Sequence, residues 1–321
     1  MQKTKTSRLK SYLKWILWVL VVQFVLVNIM AAIYAYKFTH FYNGPAPVYT
    51  AKNIFVKTWK LFVGPSFYKD TEETAPSFDF ENVALKNSEN TPIDAWYSKT
   101  DSADKCVIIL HGISVNKSFL LAEASRFRQW NYSIMMIDFR GHGRSGGNTS
   151  TFGSKETDEL QKAFAYAKSK GNKKIILYGV SMGAIVSMKA VAEGKLNPDA
   201  LIIDAPFGSL HKHLRSRAEV LGFPAEPFAS LVTGWIGIER GFNAFGLRGS
   251  KYATEIKCPV LLEWGEYDRY VKRNELESIY NNLSSQNKKL VIYPDAGHES
   301  YLQRDPILWE RTVSSFLTSL Y

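Results

Sequence analysis

One uninterrupted apolar run precedes a long stretch in which two hydrophobic periods alternate. From Trp15 to Tyr36 the chain is apolar apart from Gln23 and Asn28. At about 1.5 Å per residue this run reaches roughly 33 Å, enough to cross a bilayer core. Trp15, Trp18, Tyr34 and Tyr36 lie towards its ends, where aromatic rings prefer the membrane interface. Lys3, Lys5, Arg8, Lys10 and Lys14 come before it, and such a cluster stays in the cytoplasm, placing everything after Tyr36 on the extracytoplasmic side. A cleaved signal peptide is the alternative. The run exceeds the usual signal-peptide core, and no Ala-x-Ala site follows, so an uncleaved single-pass anchor is expected.

Residues 37–76 read as a connector. Within it, Ala51 to Val63 sets Ile54, Phe55, Trp59, Leu61 and Phe62 on one helical side and Lys57 and Lys60 on the other. Such a helix lies in the headgroup layer or packs on the globular part, and the pattern fits both. Pro65 and the acidic segment Asp70 to Pro76 end the connector. From Ser77 onward, strand patterns fall at Phe78–Leu85, Ala95–Ser98, Cys106–Leu110, Ser133–Asp138, Lys174–Tyr178, Ala200–Asp204, Pro259–Trp264 and Lys289–Tyr293. Helical periods separate most of them, at Lys117–Trp130, Glu156–Lys170, Met182–Glu193, Arg273–Leu283 and Pro306–Leu320. Runs such as V-I-I-L and I-M-M-I are apolar on both faces, as parallel strands covered by helices on each side must be. The fold class expected is therefore α/β, a mostly parallel eight-stranded sheet in one domain over 77–321. The division is 1–14 basic tail, 15–36 anchor, 37–76 connector, then this domain, with an insertion at about 205–254.

Charge and cysteines change this picture little. The net charge is +10, but half of it comes from the five basic residues before the apolar run. That placement suits an anionic membrane surface, and no nucleic-acid partner is expected. Cys106 and Cys258 are both expected inside buried strands as small apolar residues, not as a disulfide. No Cys/His group has zinc-ligand spacing, so neither metal nor cofactor is expected.

The candidate chemistry centres on Gly179-Val180-Ser181-Met182-Gly183, set between a strand run and a small-residue helix. A strand-to-helix turn this tight forces its serine into a strained conformation and leaves no room for side chains at 179 and 183. Ser181 then sits at a helix N-terminus, which favours a developing negative charge. A serine hydroxyl needs a base. Of six histidines, His298 lies just past the last strand in a glycine-bearing loop, where reactive groups of such sheets gather. It needs a carboxylate to fix its tautomer, and Asp268, in the loop leaving the preceding strand, is chosen, with Glu266 as the fallback. An oxyanion hole would take the N–H of Met182 and that of Ile113, with Gly112 allowing close approach. His111 is read as a loop brace.

These residues carry a resemblance. His111-Gly112, the loop Asp138-Phe139-Arg140-Gly141-His142-Gly143-Arg144-Ser145, Gly179 to Gly183, Gly265-x-x-Asp268 and Gly297-His298 come in the order of a serine α/β-hydrolase. The chain resembles the monoacylglycerol-lipase, lysophospholipase and serine-aminopeptidase group, including its membrane-tethered members. The resemblance implies an α/β-hydrolase fold with a short helical cap in the 205–254 insertion. It also implies a scaffolding role for the 138–145 loop, in which Arg140 and His142 tie strand ends together. The cap is rich in apolar side chains (Phe207, Leu221, Phe223, Phe228, Trp235), with basic residues at His211, Lys212, His213, Arg215 and Arg217. It fits a cover for an acyl chain with an anionic head group, and equally an ordinary helical cap with a solvated charged face. The function expected is membrane-tethered hydrolysis of a small-molecule or lipid ester through an acyl-enzyme. A peptidase, amidase or thioesterase and a non-catalytic scaffold are the alternatives, and protein partners are not specified. Asn116, Asn131, Asn148 and Asn282 head glycosylation sequons that matter only in a eukaryotic secretory lumen.

Overall fold

The apolar run lies in one continuous helix, α1 (Gln2–Thr39), of the computed structural model, which describes residues 2–44, 63–64, 66–100, 104–222 and 224–320. The helix expected at 51–63 falls outside these residues except for Val63. Arg8–Thr39 is long and apolar enough to cross a membrane, and most of it projects bare. Its last turns do not. Ala31, Tyr34, Ala35 and Phe38, spaced as one helical stripe, are buried within the protein. Tyr34, expected near the membrane interface, is packed against protein at that end of the helix, since apolarity alone does not distinguish lipid from protein as surroundings.

Two short parallel strands follow, β1 (Phe41–Tyr42) and β2 (Phe67–Tyr68). Next come β3 (Glu81–Lys86), β4 (Pro92–Ser98), β5 (Lys105–Leu110), α2 (Leu121–Gln129), β6 (Ser133–Ile137) and α3 (Thr157–Ser169). After these run β7 (Lys174–Val180), α4 (Met182–Ala192), β8 (Ala200–Asp204), α5 (Leu210–Val220), α6 (Phe228–Arg240) and α7 (Gly249–Tyr252). The chain ends with β9 (Val260–Gly265), α8 (Arg273–Asn282), β10 (Lys288–Tyr293), α9 (Tyr301–Arg304) and α10 (Pro306–Thr318).

Among the described residues, β3 to β10 form one eight-stranded sheet in the order β10-β9-β8-β7-β5-β6-β4-β3. β4 runs antiparallel to both its neighbours, and the other pairs are parallel. β6, β8 and β9 are buried at every position. Alternate side chains of a strand point to opposite faces, so unbroken burial requires cover on both. The edge hairpin departs from expectation. β3 starts at Glu81 rather than Phe78, and β4 starts at Pro92, which as a first residue forfeits little ladder bonding. Cys258 also departs, lying just before β9 and partly exposed, whereas Cys106 is buried in β5; both are free thiols.

The segment between β8 and β9 folds into helices α5 to α7. The buried end of α1 packs against α6, where the Tyr34 and Phe228 rings meet edge to face at 4.9 Å. Arg240 of α6 donates from Nε to Thr39 Oγ1 at 2.7 Å and from Nη2 to the Tyr36 carbonyl at 3.4 Å. A cation there satisfies groups at the helix end that lack intrahelical partners.

The 138–145 loop is held by a buried charge cluster with no local signature. The Lys117 ammonium is fully enclosed. It donates to Asp138 Oδ2 at 2.8 Å, to Asp94 Oδ2 at 2.6 Å and to Glu73. Those three carboxylates are the group among the described residues whose spacing could hold a metal ion, and the ammonium sits within it. Burial, with Asp138 alongside, pushes Glu73 up to about 7. Removing the cation would leave buried carboxylates uncompensated. Lys117→Met is expected to destabilise the protein by about 3–5 kcal/mol, read as a lowered denaturation midpoint with unchanged slope. A midpoint within error of the parent would show that the cluster does not depend on this ammonium.

Candidate active site

β5, β7, β8, β9 and β10 are parallel, so their carboxyl ends lie along one edge of the sheet. The loops leaving β5, β7, β9 and β10 carry Ile113, Ser181, Asp268 and His298 respectively. Ser181 adopts φ 53° and ψ −108° between the end of β7 and the start of α4. That conformation is costly for a non-glycine residue and persists only where the surroundings impose it. Here they do. A Cβ at Gly179 would lie 2.5 Å from the Gly183 carbonyl oxygen, and one at Gly183 would lie 2.2 Å from the Leu110 carbonyl oxygen. The Ser181 N–H donates to the Asp204 carbonyl at 2.8 Å, fixing the turn to β8.

His298 Nε2 lies 3.1 Å from Ser181 Oγ, and its Nδ1 lies 2.7 Å from Asp268 Oδ2. A carboxylate only accepts, so the ring proton sits on Nδ1 and the Nε2 lone pair faces the serine hydroxyl. Asp268 is itself immobilised, its Oδ1 accepting from the N–H groups of Tyr270 at 2.7 Å and Val271 at 2.9 Å. Glu266 instead points to the surface and pairs with Arg273 at 3.1 Å. Ser181 Oγ can therefore pass its proton to His298, and Asp268 can stabilise the imidazolium that forms.

Ile113 and Ser181 line one cavity of about 160 Å³, together with Phe119, Val180, Arg217 and His298. A Cβ at Gly112 would lie 3.6 Å from that of Ser181, so the loop after β5 runs directly beside the serine. His111 Nε2 accepts from the Phe139 N–H at 3.1 Å, and its Nδ1 lies 2.6 Å from the Gly112 carbonyl. Those two contacts lock the loop onto the 138–145 segment. Arg140 joins α3 to the β3–β4 turn through Glu159 at 2.7 Å and Glu89 at 2.8 Å, not one strand end to another.

The basic group of the insertion does not form one patch. His213 and Arg217 face inward from α5, Lys212 and Arg215 face solvent, and His211 pairs with Glu226 at 2.9 Å. Arg217 had no role of its own in the sequence reading. Its spacing from Leu210 and Leu214, which share its face of α5, was the available signal.

Behind the site, Asp204 and Glu263 stand opposite each other on β8 and β9, both buried. Tyr178 donates to Asp204 at 2.6 Å and Tyr293 donates to Glu263. Burial, added to by the charge of Glu263, raises the Asp204 carboxyl well above its ordinary range, and burial pushes Glu263 up to about 7. An acid raised in the folded state contributes its full stability below the unfolded value, near 4.5, and loses it as pH rises through the folded value. The contribution of this pair should therefore decline from about pH 5 to pH 8, and against the parent Glu263→Gln should shift the pH dependence over that range towards stability at higher pH by on the order of 1–3 kcal/mol. Thermal unfolding across that range checks this; an unchanged slope in the variant would count against it.

Residues 101–244 match the family described as serine aminopeptidase, S33. The uncharacterized protein YqkD of Bacillus subtilis is 28% identical over 233 residues, covering 71% of this chain and 76% of that protein. The lysophosphatidylserine lipase of Danio rerio is 24% identical over 246 residues, covering 70% of this chain and 60% of that protein. A solved structure of a Pyrococcus furiosus esterase aligns with a TM-score of 0.65 at 25% identity, over 79% of this chain and 98% of the esterase.

Proposed function

We propose that the chain is a membrane-tethered serine hydrolase of the α/β-hydrolase superfamily that cleaves lipid-like carboxylic esters, monoacylglycerols or lysophospholipids, a reading supported by the matched family, the esterase structure and the lysophosphatidylserine lipase. Ser181 attacks the acyl carbon, and His298 takes its proton and returns it to the leaving alcohol. Asp268 holds His298 in the required tautomer. The N–H groups of Met182 and Ile113 receive the oxyanion, and water then releases the acyl group by the same path in reverse. The observation that carries this reading is the pair of contacts at His298, 3.1 Å to Ser181 and 2.7 Å to Asp268.

The tether is α1, crossing the membrane over 15–36 with the basic tail 1–14 in the cytoplasm and domain 77–321 outside. Its buried end packs on α6, part of the 205–254 insertion that we read as the cap, so substrate held in a bilayer is close at hand. The lysophosphatidylserine lipase among the relatives supports a lipid substrate. The aminopeptidase description of the matched family favours a second reading, peptide hydrolysis. Against it, Arg217 lines the cavity and repels the α-ammonium group that an aminopeptidase must hold, while the carboxylate of the lining, Glu299, is engaged at the rim by the Gly297 N–H. The test is a panel of esters graded in chain length and head group, run beside aminoacyl anilides with the full chain in detergent micelles. Long-chain monoacyl esters are expected to turn over at least about a hundredfold faster. Faster cleavage of the anilides would replace the lipase reading with the peptidase one.

A further inference from the structure

Arg217 projects from α5 into the cavity that holds Ser181 and His298. Its Nε donates to His213 Nε2 at 2.9 Å. His213 is fully enclosed, and burial, with Arg217 and His298 adding to the effect, pulls its pKa well below the ordinary value. An uncharged ring orients the guanidinium without neutralising it. The guanidinium also lies over the Tyr270 ring at 4.8 Å and near the Phe38 ring of α1 at 5.8 Å. Among the described residues, no carboxylate comes within ion-pair distance of it.

Arg217 is half-buried, and the enclosed cations among the described residues are treated differently. Arg140 is held by Glu159 and Glu89, and Lys117 by three carboxylates. A cation partly withdrawn from water without a counter-ion is costly, and a planar guanidinium matches phosphate or carboxylate oxygens in pairs. Glu299 shares the cavity lining, and the charge of Asp268 reaches Arg217 from nearby. Asp268 is committed to His298, Tyr270 and Val271. Glu299, exposed at the rim, accepts from the Gly297 N–H at 3.1 Å and lies 4.0 Å from Arg304. Neither serves as the missing counter-ion. The rest of the lining includes the apolar Ile113, Val115 and Phe119, suited to an acyl chain.

We propose that Arg217, oriented by His213, is the subsite for an oxyanion on the substrate, a phosphate or carboxylate carried on the same molecule as the scissile ester. The identity of this ligand as a substrate rests on the reading of Ser181 as the nucleophile. Selection of anionic over neutral esters would then be set by one side chain of the insertion, held against the last turn of the membrane helix.

The test separates binding from turnover by using the full-length Ser181→Ala protein in neutral detergent micelles. The probes are dodecyl phosphate, dodecanoate, inorganic phosphate and uncharged 1-O-dodecylglycerol, with affinities measured by calorimetry. At least one of the two anionic amphiphiles should bind at least tenfold more tightly than the uncharged ether. Adding Arg217→Gln should shrink that ratio by about ten- to a hundredfold, and Arg217→Lys should restore part of it. The stronger of the two amphiphiles assigns phosphate or carboxylate. Inorganic phosphate binding as tightly as dodecyl phosphate would assign the anion to a free source. A ratio near one in the parent, or one unmoved by Arg217→Gln, overturns the subsite. If Arg217→Gln does not fold, the ratio in Arg217→Lys decides: no reduction there also overturns it. Anion-selective binding combined with no fluorophosphonate labelling of the unsubstituted protein would sink the hydrolytic reading and leave the anion site standing. Labelling without anion selectivity would do the reverse.

Discussion

Ser181→Ala is expected to abolish fluorophosphonate labelling and to lower kcat on short p-nitrophenyl esters by about 10⁴- to 10⁶-fold. The argument is geometric. Ser181 Oγ is the hydroxyl that faces His298 Nε2, at 3.1 Å, and it lines the cavity beside it. Alanine removes the oxygen and nothing else. The strained backbone at φ 53° is imposed by the contacts of Gly179 and Gly183 with their neighbours, and alanine carries the same Cβ that serine does. The variant should therefore fold with a nearly unchanged unfolding midpoint, which separates loss of chemistry from loss of structure. Retained labelling would remove Ser181 as the nucleophile.

Asp268→Asn is expected to lower kcat by about 10⁴-fold while leaving the fold intact. In the parent, Oδ1 accepts two backbone N–H groups and Oδ2 accepts the Nδ1 proton of His298. An amide at this position must put its oxygen where the two N–H donors point, since its NH₂ group cannot accept from them. The NH₂ then faces His298 Nδ1 and favours a bare nitrogen there. The ring proton moves to Nε2, and the base that should receive the serine proton already carries one. Glu266→Gln is the control. Glu266 is exposed and paired with Arg273, and the change is expected to alter kcat by less than about threefold. Equal losses in the two variants would show that Asp268 does not hold the base.

The Asp268 and Glu266 variants test the preference for Asp268 over Glu266 that the sequence expresses. Asp268 and Glu266 stand two residues apart in the same loop, both acidic and both past the same strand. Which of them meets His298 depends on how the turn after β9 winds. That winding is set by the Asp268 N–H donating to the Gly265 carbonyl and by Tyr270 and Val271 gripping Oδ1. The edge hairpin was blurred for a related reason. Phe78 and Phe80 are apolar enough to pack on the core, yet the ladder with β4 begins only at Glu81.

By itself the sequence determined the interior strands, the eight-stranded α/β sheet and the turn at Ser181, because each follows from rules acting over a few residues. An all-apolar run of five or six residues must be covered on both faces, and a Gly-x-Ser-x-Gly turn is dictated by atoms within its own span. Only the tertiary structure decided that Lys117 sits among Glu73, Asp94 and Asp138. It alone decided that Arg217 and not Arg215 enters the cavity, and that Tyr34 packs on Phe228. The partners in these contacts come from separate segments of the chain. Their energies depend on burial and on charges brought together by folding, which no local period of hydrophobic and polar residues encodes.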